Sequence, residues 1–587
     1  MFQEMASAQT GIVTENNFTD PKMWSEHYQE LIFGEVGTGI AIGDYDGDGR
    51  PDVFVVSKTE GCRLFRNLGN WKFEDVTQKS GLGGASSGWM DTAKNWVGLG
   101  DNATAEAPER WKQGATFADV NNDGRLDLYV CRFGASNWLY LNQGDGTFKE
   151  EAAARGLAVI DDSCMAEFCD YDRDGWLDVF IHTNMFDVTK HPNGQRAYLF
   201  HNNGDGRFTN VTDRAGILGE ASTHSATWWD YDNDGWPDLY VANDYAPSDV
   251  LYHNNRDGTF TNAINQVVPH TPYYAMGADL GDVNNDGLID FFVADMAATT
   301  HEKDFRGMAG ARSRAQMDPT DRGIAPQYMR NALYLNTGTG RMLEAAQLAG
   351  VAATDWTWSP RLEDLDNDGR LDLFVTNGMI REYNNIDLLE QSVARENIAA
   401  QRAVVRQSPP LAEMNIAFRN LGDLHFENVS KAWGLNQHGV SFGSAFGDLD
   451  GDGDLDLVYG NYQTGVTVLR NDSDSGHRII VALRGQQSNR FGVGATVKIE
   501  TAAGIQVRSL VLARGSLSSS EPVLHFGLGN DTTIKRLTVA WPSGKSQLFT
   551  DLGVDRRFTI TEPSTPKVAA VVPTATTGQM TVGTTAA

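Results

Sequence analysis

Short runs of β-branched and aromatic residues recur along the chain, each entered through an acidic, glycine-bearing loop and followed by a polar turn. Val-Phe-Val-Val from Val53, Leu-Tyr-Val-Cys from Leu128, Val-Phe-Ile-His from Val179 and Leu-Tyr-Val-Ala from Leu239 are examples, and such composition predicts strands. A second motif follows most of them: Leu-Phe-Arg-Asn-Leu-Gly from Leu64, Leu-Tyr-Leu-Asn-Gln-Gly from Leu139 and Leu-Phe-His-Asn-Asn-Gly from Leu199, with variants from Leu251, Leu333 and Phe418. Asn-Gly and Asp-Gly between apolar runs favour hairpins, because both turn residues accept positive φ. The unit is strand, acidic loop, strand, connection, strand, hairpin, strand. Seven units predict an all-β fold, a seven-bladed β-propeller whose four-stranded blades bury their faces on one another.

The acidic loops read D-x-[DN]-x-D-G-x-x-D. Their candidate ligands are Asp44, Asp46, Asp48 and Asp52; Asp119, Asn121, Asp123 and Asp127; Asp170, Asp172, Asp174 and Asp178; Asp230, Asp232, Asp234 and Asp238; Asp282, Asn284, Asp286 and Asp290; Asp364, Asp366, Asp368 and Asp372; and Asp448, Asp450, Asp452 and Asp456. Oxygens at positions 1, 3, 5 and 9, a glycine at 6 and an unrestricted residue at 7 suit a hard cation that takes six to eight oxygens. Calcium, up to seven ions, is the expected cofactor. An EF-hand needs a Glu at position 12, where this chain has Val55, Val130, Ile181, Val241, Val293, Val375 and Tyr459. The loops therefore join strand to strand. Those with Asn121 and Asn284 carry one charge fewer and are expected to bind more weakly.

The net charge of −29 is largely ligand charge, since five loops hold four aspartates and two hold three. That balance argues against a nucleic-acid partner. Four cysteines are too few for a disulfide scaffold, and Cys131 and Cys169 fall in strand-like runs, where a small buried hydrophobe is expected. Neither a signal peptide nor an 18-residue apolar span is visible. Loops suited to millimolar calcium nevertheless point to an extracellular or periplasmic chain whose leader has been removed, and a monomer is expected.

Loop spacing leaves room for insertions near residues 79–112, 299–330 and 380–416. The last holds Leu388, Leu389, Val393 and Ile398 among charged residues and predicts one short amphipathic helix before Pro409 and Pro410. From about His477 a different strand pattern begins, with runs at Ile479–Leu483, Ala495–Ile499, Leu537–Trp541 and Arg557–Ile560. Expected domains are an N-terminal extension (1–29), the propeller (30–475), a small β domain (476–562) and a disordered tail (563–587). A chain ending near 475 is expected to fold unless the two ends mix to close the ring.

The repeats resemble FG-GAP/VCBS repeats, the blades of integrin α-subunit propellers. Ser488-Asn489-Arg490-Phe491-Gly492-Val493-Gly494-Ala495, His525-Phe526-Gly527-Leu528-Gly529 and Trp541-Pro542-Ser543-Gly544 resemble the signatures of the ASPIC/UnbV domain. The combination is similar to the bacterial relatives of the cartilage acidic protein family. The Phe-Gly element that names the repeat is degenerate here, as at Phe442-Gly443-Ser444-Ala445. The resemblance implies a secreted calcium-binding adhesion module.

No nucleophile elbow, zinc-protease helix, P-loop or dinucleotide fingerprint is present, and no catalytic residue is assigned. The expected function is a non-catalytic binding or adhesion module; the alternative is a carbohydrate-active enzyme or lectin, because some glycan lyases use related propellers. Five positions before each loop stand Gly39, Gly114, Met165, Ser225, Gly277, Ser359 and Gly443, mostly small, as expected at a crowded propeller axis. Two positions before stand Ile42, Phe117, Phe168, Trp228, Leu280, Leu362 and Phe446, read as inter-blade core. Residues slightly earlier should ring the mouth opposite the metals: Trp111, Lys112, Gln113, Asp162, His224, Tyr274, Trp356 and Trp358. Of these, Trp111, His224, Tyr274, Trp356 and Trp358 are the candidate contacts for a protein or glycan ligand, with capping of the hydrophobic core as the competing role.

Overall fold

The structure, a computed structural model, describes residues 1–82, 111–185, 191, 193–245, 247–308, 310, 326–382, 384–395, 397–564 and 580–583. Most of the expected 79–112 insertion lies outside them. Among the described residues seven four-stranded antiparallel units form a ring. Their innermost strands are Ile40–Gly43, Lys112–Ala118, Ile160–Cys169, Ser222–Trp229, Ala278–Gly281, Thr357–Glu363 and Ser441–Gly447. These touch in that order, and the last touches the first. The second and third units also share a short ladder, Ile160–Asp162 on Phe133–Ser136.

Alternation along each strand fills the spaces between blades. All seven residues read as inter-blade core, from Ile42 to Phe446, are buried. Between blades four and five, Trp229 and Phe291 stack with ring centroids 4.8 Å apart. The ring closes by mixing the ends: Phe2–Glu4 is the outer strand of the seventh blade, antiparallel to Thr467–Asn471.

The asparagine of the hairpin motif has a role beyond the turn. In every blade it ends the third strand, is buried, and donates from Nδ2 to the carbonyl at position 2 of the preceding blade's acidic loop. Asn67 reaches Leu449, Asn142 Tyr45, Asn202 Val120, Asn254 Tyr171, Asn336 Tyr231, Asn420 Val283 and Asn471 Leu365, at 2.7–2.9 Å. Asn67 to Leu449 spans the seam, so these latches run unbroken round the ring. Asn142→Ala would leave the carbonyls of Tyr45 and Leu126 without this donor. A loss of about 2–3 kcal/mol is expected from two unsatisfied buried groups, read by urea unfolding; a change under ~0.5 kcal/mol would show that the latch contributes nothing.

The C-terminal domain is two four-stranded sheets. One has the order Val523–Gly529, His477–Arg484, Arg556–Thr561, Met580–Gly583, and the other Ile505–Ser509, Thr496–Glu500, Thr533–Ala540, Ser546–Gly553. Val481, Val497, Phe526, Leu537 and Trp541 are among its core. Met580–Gly583 lies in the tail expected to lack structure, yet it pairs with the strand Arg556–Thr561. The domain sits on the acidic-loop side of the ring. Arg490 Nε donates to Asn122 O (3.0 Å), Arg478 Nη2 to Asp452 O (2.7 Å), and Arg173 Nε reaches Pro542 O (2.7 Å).

From this domain a hairpin, Ala513–Arg514 and Ser518–Ser519, enters the axis of the ring. Gly515 exchanges backbone hydrogen bonds with Ala278, Ser518 Oγ accepts from Ile40 N, and Ser225 Oγ donates to Gly515 O. The small residues lining the axis make room for this backbone. A Cβ on Gly39 would lie 1.6 Å from Leu517 O, and one on Gly443 would lie 2.4 Å from Ser518 Oγ. The sequence pattern showed the crowding but not its cause.

Arg514 anchors the hairpin. Its guanidinium forks onto Asp279 (2.7 and 2.9 Å) and reaches Glu363 (2.6 Å), while Arg361, wholly buried, bonds Glu363 (3.0 Å) and Ser444 O (2.9 Å). The boundary expected near residue 475 therefore separates strand patterns but not packing units.

Candidate functional site

Backbone amides of each acidic loop turn onto its own carboxylates. In the first, Asp44 accepts from Asp48 N and Gly49 N, Asp46 accepts from Asp48 N, and Asp48 accepts from Arg50 N. Position 4 is left-handed in all seven loops, occupied by Gly47, Asn122, Arg173, Asn233, Asn285, Asn367 and Gly451. Glycine and asparagine suit that backbone, and Arg173 is the exception.

The position-9 aspartate pins each loop to its own blade. Asp52 accepts from Tyr45 N (3.1 Å) and Asn67 N (2.7 Å), and Asp127, Asp178, Asp238, Asp290, Asp372 and Asp456 repeat the pattern. Burial, with neighbouring carboxylates adding like charge, pushes Asp52, Asp127 and Asp364 up to about 8 and Asp238 to about 9. Asp170 Oδ1 and Asp366 Oδ1 are buried without a hydrogen-bond donor. Crowded carboxylates, orphaned oxygens and an all-oxygen donor set fit a calcium ion, which would supply the missing positive charge.

The sequence reading missed a covariation. One residue before each latch asparagine stand Arg66, Leu141, His201, His253, Leu335, Arg419 and Arg470. The two leucines face the loops with Asn121 and Asn284; every loop with aspartate at position 3 faces Arg or His. Arg66 Nε lies 2.5 Å from Asp46, Arg419 Nη2 lies 2.6 Å from Asp366, and His201 Nδ1 lies 3.2 Å from Asp172. His253 Nδ1 is 3.6 Å from Asp232, and Arg470 turns mainly to Asp472, with Asp450 adding to its field. The fourth aspartate thus goes with an Arg or His on the neighbouring strand. Counting aspartates alone does not rank the loops.

The opposite mouth is roofed. Phe18, Met23, Leu31 and Val36 of the N-terminal segment pack with Trp111, Tyr274, Trp356 and Trp358 in one core. The insertion after residue 380 adds two helices, Ile386–Val393 and Ile398–Gln407, where one was expected; Asn397 starts the second by capping Ala400 N. Arg402 of the second helix lies over the Tyr28 ring at 4.6 Å.

Beneath this roof is a cavity of about 450 Å³, lined by His224, Asp244, Met276, Trp356, Trp358 and Arg402 among others. His224, Trp356 and Trp358 therefore line one cavity. Trp111 and Tyr274 do not line it: Trp111 Nε1 bonds Asp20 Oδ2 (3.1 Å), and Tyr274 is fully buried against Tyr245 and Tyr273.

His224 is held between two carboxylates, Nδ1 to Glu35 at 2.6 Å and Nε2 to Asp244 at 3.5 Å. Burial opposes its charge, but the carboxylates prevail and raise it to about 9. Burial lowers Lys58 to about 8 against the pull of Glu35; its Nζ donates to Glu35 O (2.7 Å) and Gln113 Oε1 (2.6 Å). Glu35 lies just before the first inner strand, at the start of the range read as propeller, and no local motif marked it.

A family model described as an FG-GAP-like repeat matches residues 44–101, 110–181, 188–241, 230–293 and 323–375, and one described as ASPIC and UnbV matches 485–567. The chain belongs to the FG-GAP-like repeat proteins that carry an ASPIC and UnbV domain. This repeat protein is similar to cartilage acidic protein 1 of Homo sapiens (24% identity, 52% of this chain, 39% of the relative) and of Xenopus tropicalis (24%, 75% and 71%). It spans about two fifths of the human and mouse relatives it matches. Solved structures similar to it include an Agrocybe aegerita lectin that recognises non-reducing terminal N-acetylglucosamine (TM-score 0.37, 15% identity, covering 74% of this chain and 94% of that one). Another is a rhamnogalacturonan lyase (0.36, 11%, 78% and 75%). Among the described residues no helix is long and apolar enough to cross a membrane.

Proposed function

We propose that the repeat protein is an exported, calcium-loaded binding module whose roofed mouth takes the end of a glycan chain, without catalysis. The observation that carries this reading is the cavity of about 450 Å³, in which Trp356 and Trp358 offer stacking faces beside the polar pair His224 and Asp244. Its size suits one or two sugar rings rather than a protein surface. Calcium in up to seven loops would support the site from the far side of the ring without touching the ligand.

The test is a glycan array probed with and without calcium. Trp356→Ala and His224→Gln are expected to weaken any identified ligand at least tenfold; both side chains are buried, so each variant also loses about 3–5 kcal/mol of stability and is assayed at a temperature where circular dichroism shows it folded. Unchanged affinity in both variants would move the ligand site elsewhere. A second reading rests on the His224–Glu35 contact at 2.6 Å, which resembles an acid–base pair. Release of shortened products from a bound glycan would favour that reading.

A further inference from the structure

A second cavity, of about 300 Å³, lies on the other side of the ring, between blades three and four and the C-terminal domain. Its walls are aromatic and aliphatic, with Trp228 and Trp236 on one side and Trp541, Val511 and Leu512 on the other. Glu167, Leu512 and Ala513 at one end are buried, whereas Arg173, Trp236 and Lys545 at the other are partly exposed, so the cavity opens outward.

The polar groups are unequally satisfied. Arg173 is spent on Pro542 O (2.7 Å) and on the face of Trp236 (5.3 Å), and Lys545 is spent on Pro563 O and on Glu562, 3.9 Å away. Asp170 and Asp230, which also line the cavity, belong to the metal loops. The carboxyl of Glu167 makes no hydrogen bond and stands 3.9 Å from His182 Nε2. A buried carboxyl without a partner is costly unless something binds it.

We propose that this interdomain cavity is a binding site for an organic amine on a ring-bearing apolar body, with its ammonium against Glu167 and its ring between the tryptophans. Burial raises the Glu167 carboxyl well above the usual carboxylate range, which favours its neutral form; when the ammonium enters, the carboxyl gives its proton to solvent and a carboxylate–ammonium pair forms. The aromatic walls favour a cation over a neutral ligand of the same shape. The site is independent of the mouth cavity.

The test is calorimetric titration of the full calcium-loaded chain with 2-phenylethylamine and with 2-phenylethanol, which keeps the body and removes the cation. The amine is expected to bind at least tenfold more tightly, and Glu167→Gln should abolish that preference without lowering the melting temperature. Equal affinity of the two probes, or an unaltered preference in Glu167→Gln, would overturn the proposal. Should that variant fail to fold, Val511→Phe, which fills the cavity from the hairpin side, must remove amine binding; binding that survived it would overturn the proposal equally.

Discussion

A chain ending at residue 475 is expected to be insoluble or to lack a cooperative melting transition, although all seven acidic loops would be present. Removing the C-terminal domain takes Arg514 away from Asp279 and Glu363, leaving two buried acids facing Arg361 alone. Breaking a buried ion pair from one side costs about 3–5 kcal/mol, and the hydrogen bonds of Gly515 and Ser518 to the inner strands go with it. Arg514→Met in the full chain isolates the first effect and should lower stability by about that amount. A soluble 475-residue protein with the melting temperature of the whole chain would show that the hairpin fills a channel that stands without it.

Calcium should raise the melting temperature by ~10 °C or more, with magnesium far less effective because it demands tight octahedral geometry. At a hundredfold excess over the dissociation constant each site contributes about 2.7 kcal/mol. The effect carries a pH signature. Asp52, Asp127 and Asp290 are raised to about 8 in the folded metal-free chain, so this state holds more protons than the unfolded one between about pH 4 and 8. Metal-free stability must fall as pH rises through that window, and the gain from calcium must widen. Superimposable melting curves in calcium and in chelator at pH 8 would contradict this.

What the sequence displayed and what it hid divide along physical lines. The loops, the strands beside them and the alternation from Ile42 to Phe446 were legible because each is set by local spacing. Asn67 and its counterparts were visible as hairpin residues, but their reach into the neighbouring blade was not, since it depends on register between repeats. Arg66, Leu141 and the other residues one place earlier carried the charge match in plain view, detectable only by aligning the repeats and comparing position 3. Glu35 and Arg514 were beyond reach of the sequence because each acts more than 150 residues from its partner: Glu35 on His224, Arg514 on Asp279 and Glu363. Trp111 and Tyr274, expected from spacing at the open mouth, are core beneath the roof, because the packing of the N-terminal segment over them is not written in local spacing.

The latches that pass from each blade to the one before it give the molecule an unusual boundary condition. A linear row of repeats frays from its ends and needs capping units; a circle of like couplings has no end at which to begin. Opening it requires two simultaneous breaks, and the outer edge of the seventh blade is held by Phe2–Glu4, three residues long. A protease that clipped the first five residues would strip the outer strand from the seventh blade and leave the Asn67–Leu449 latch across the seam, so the loss of stability would begin in that blade while the circle of latches stayed closed.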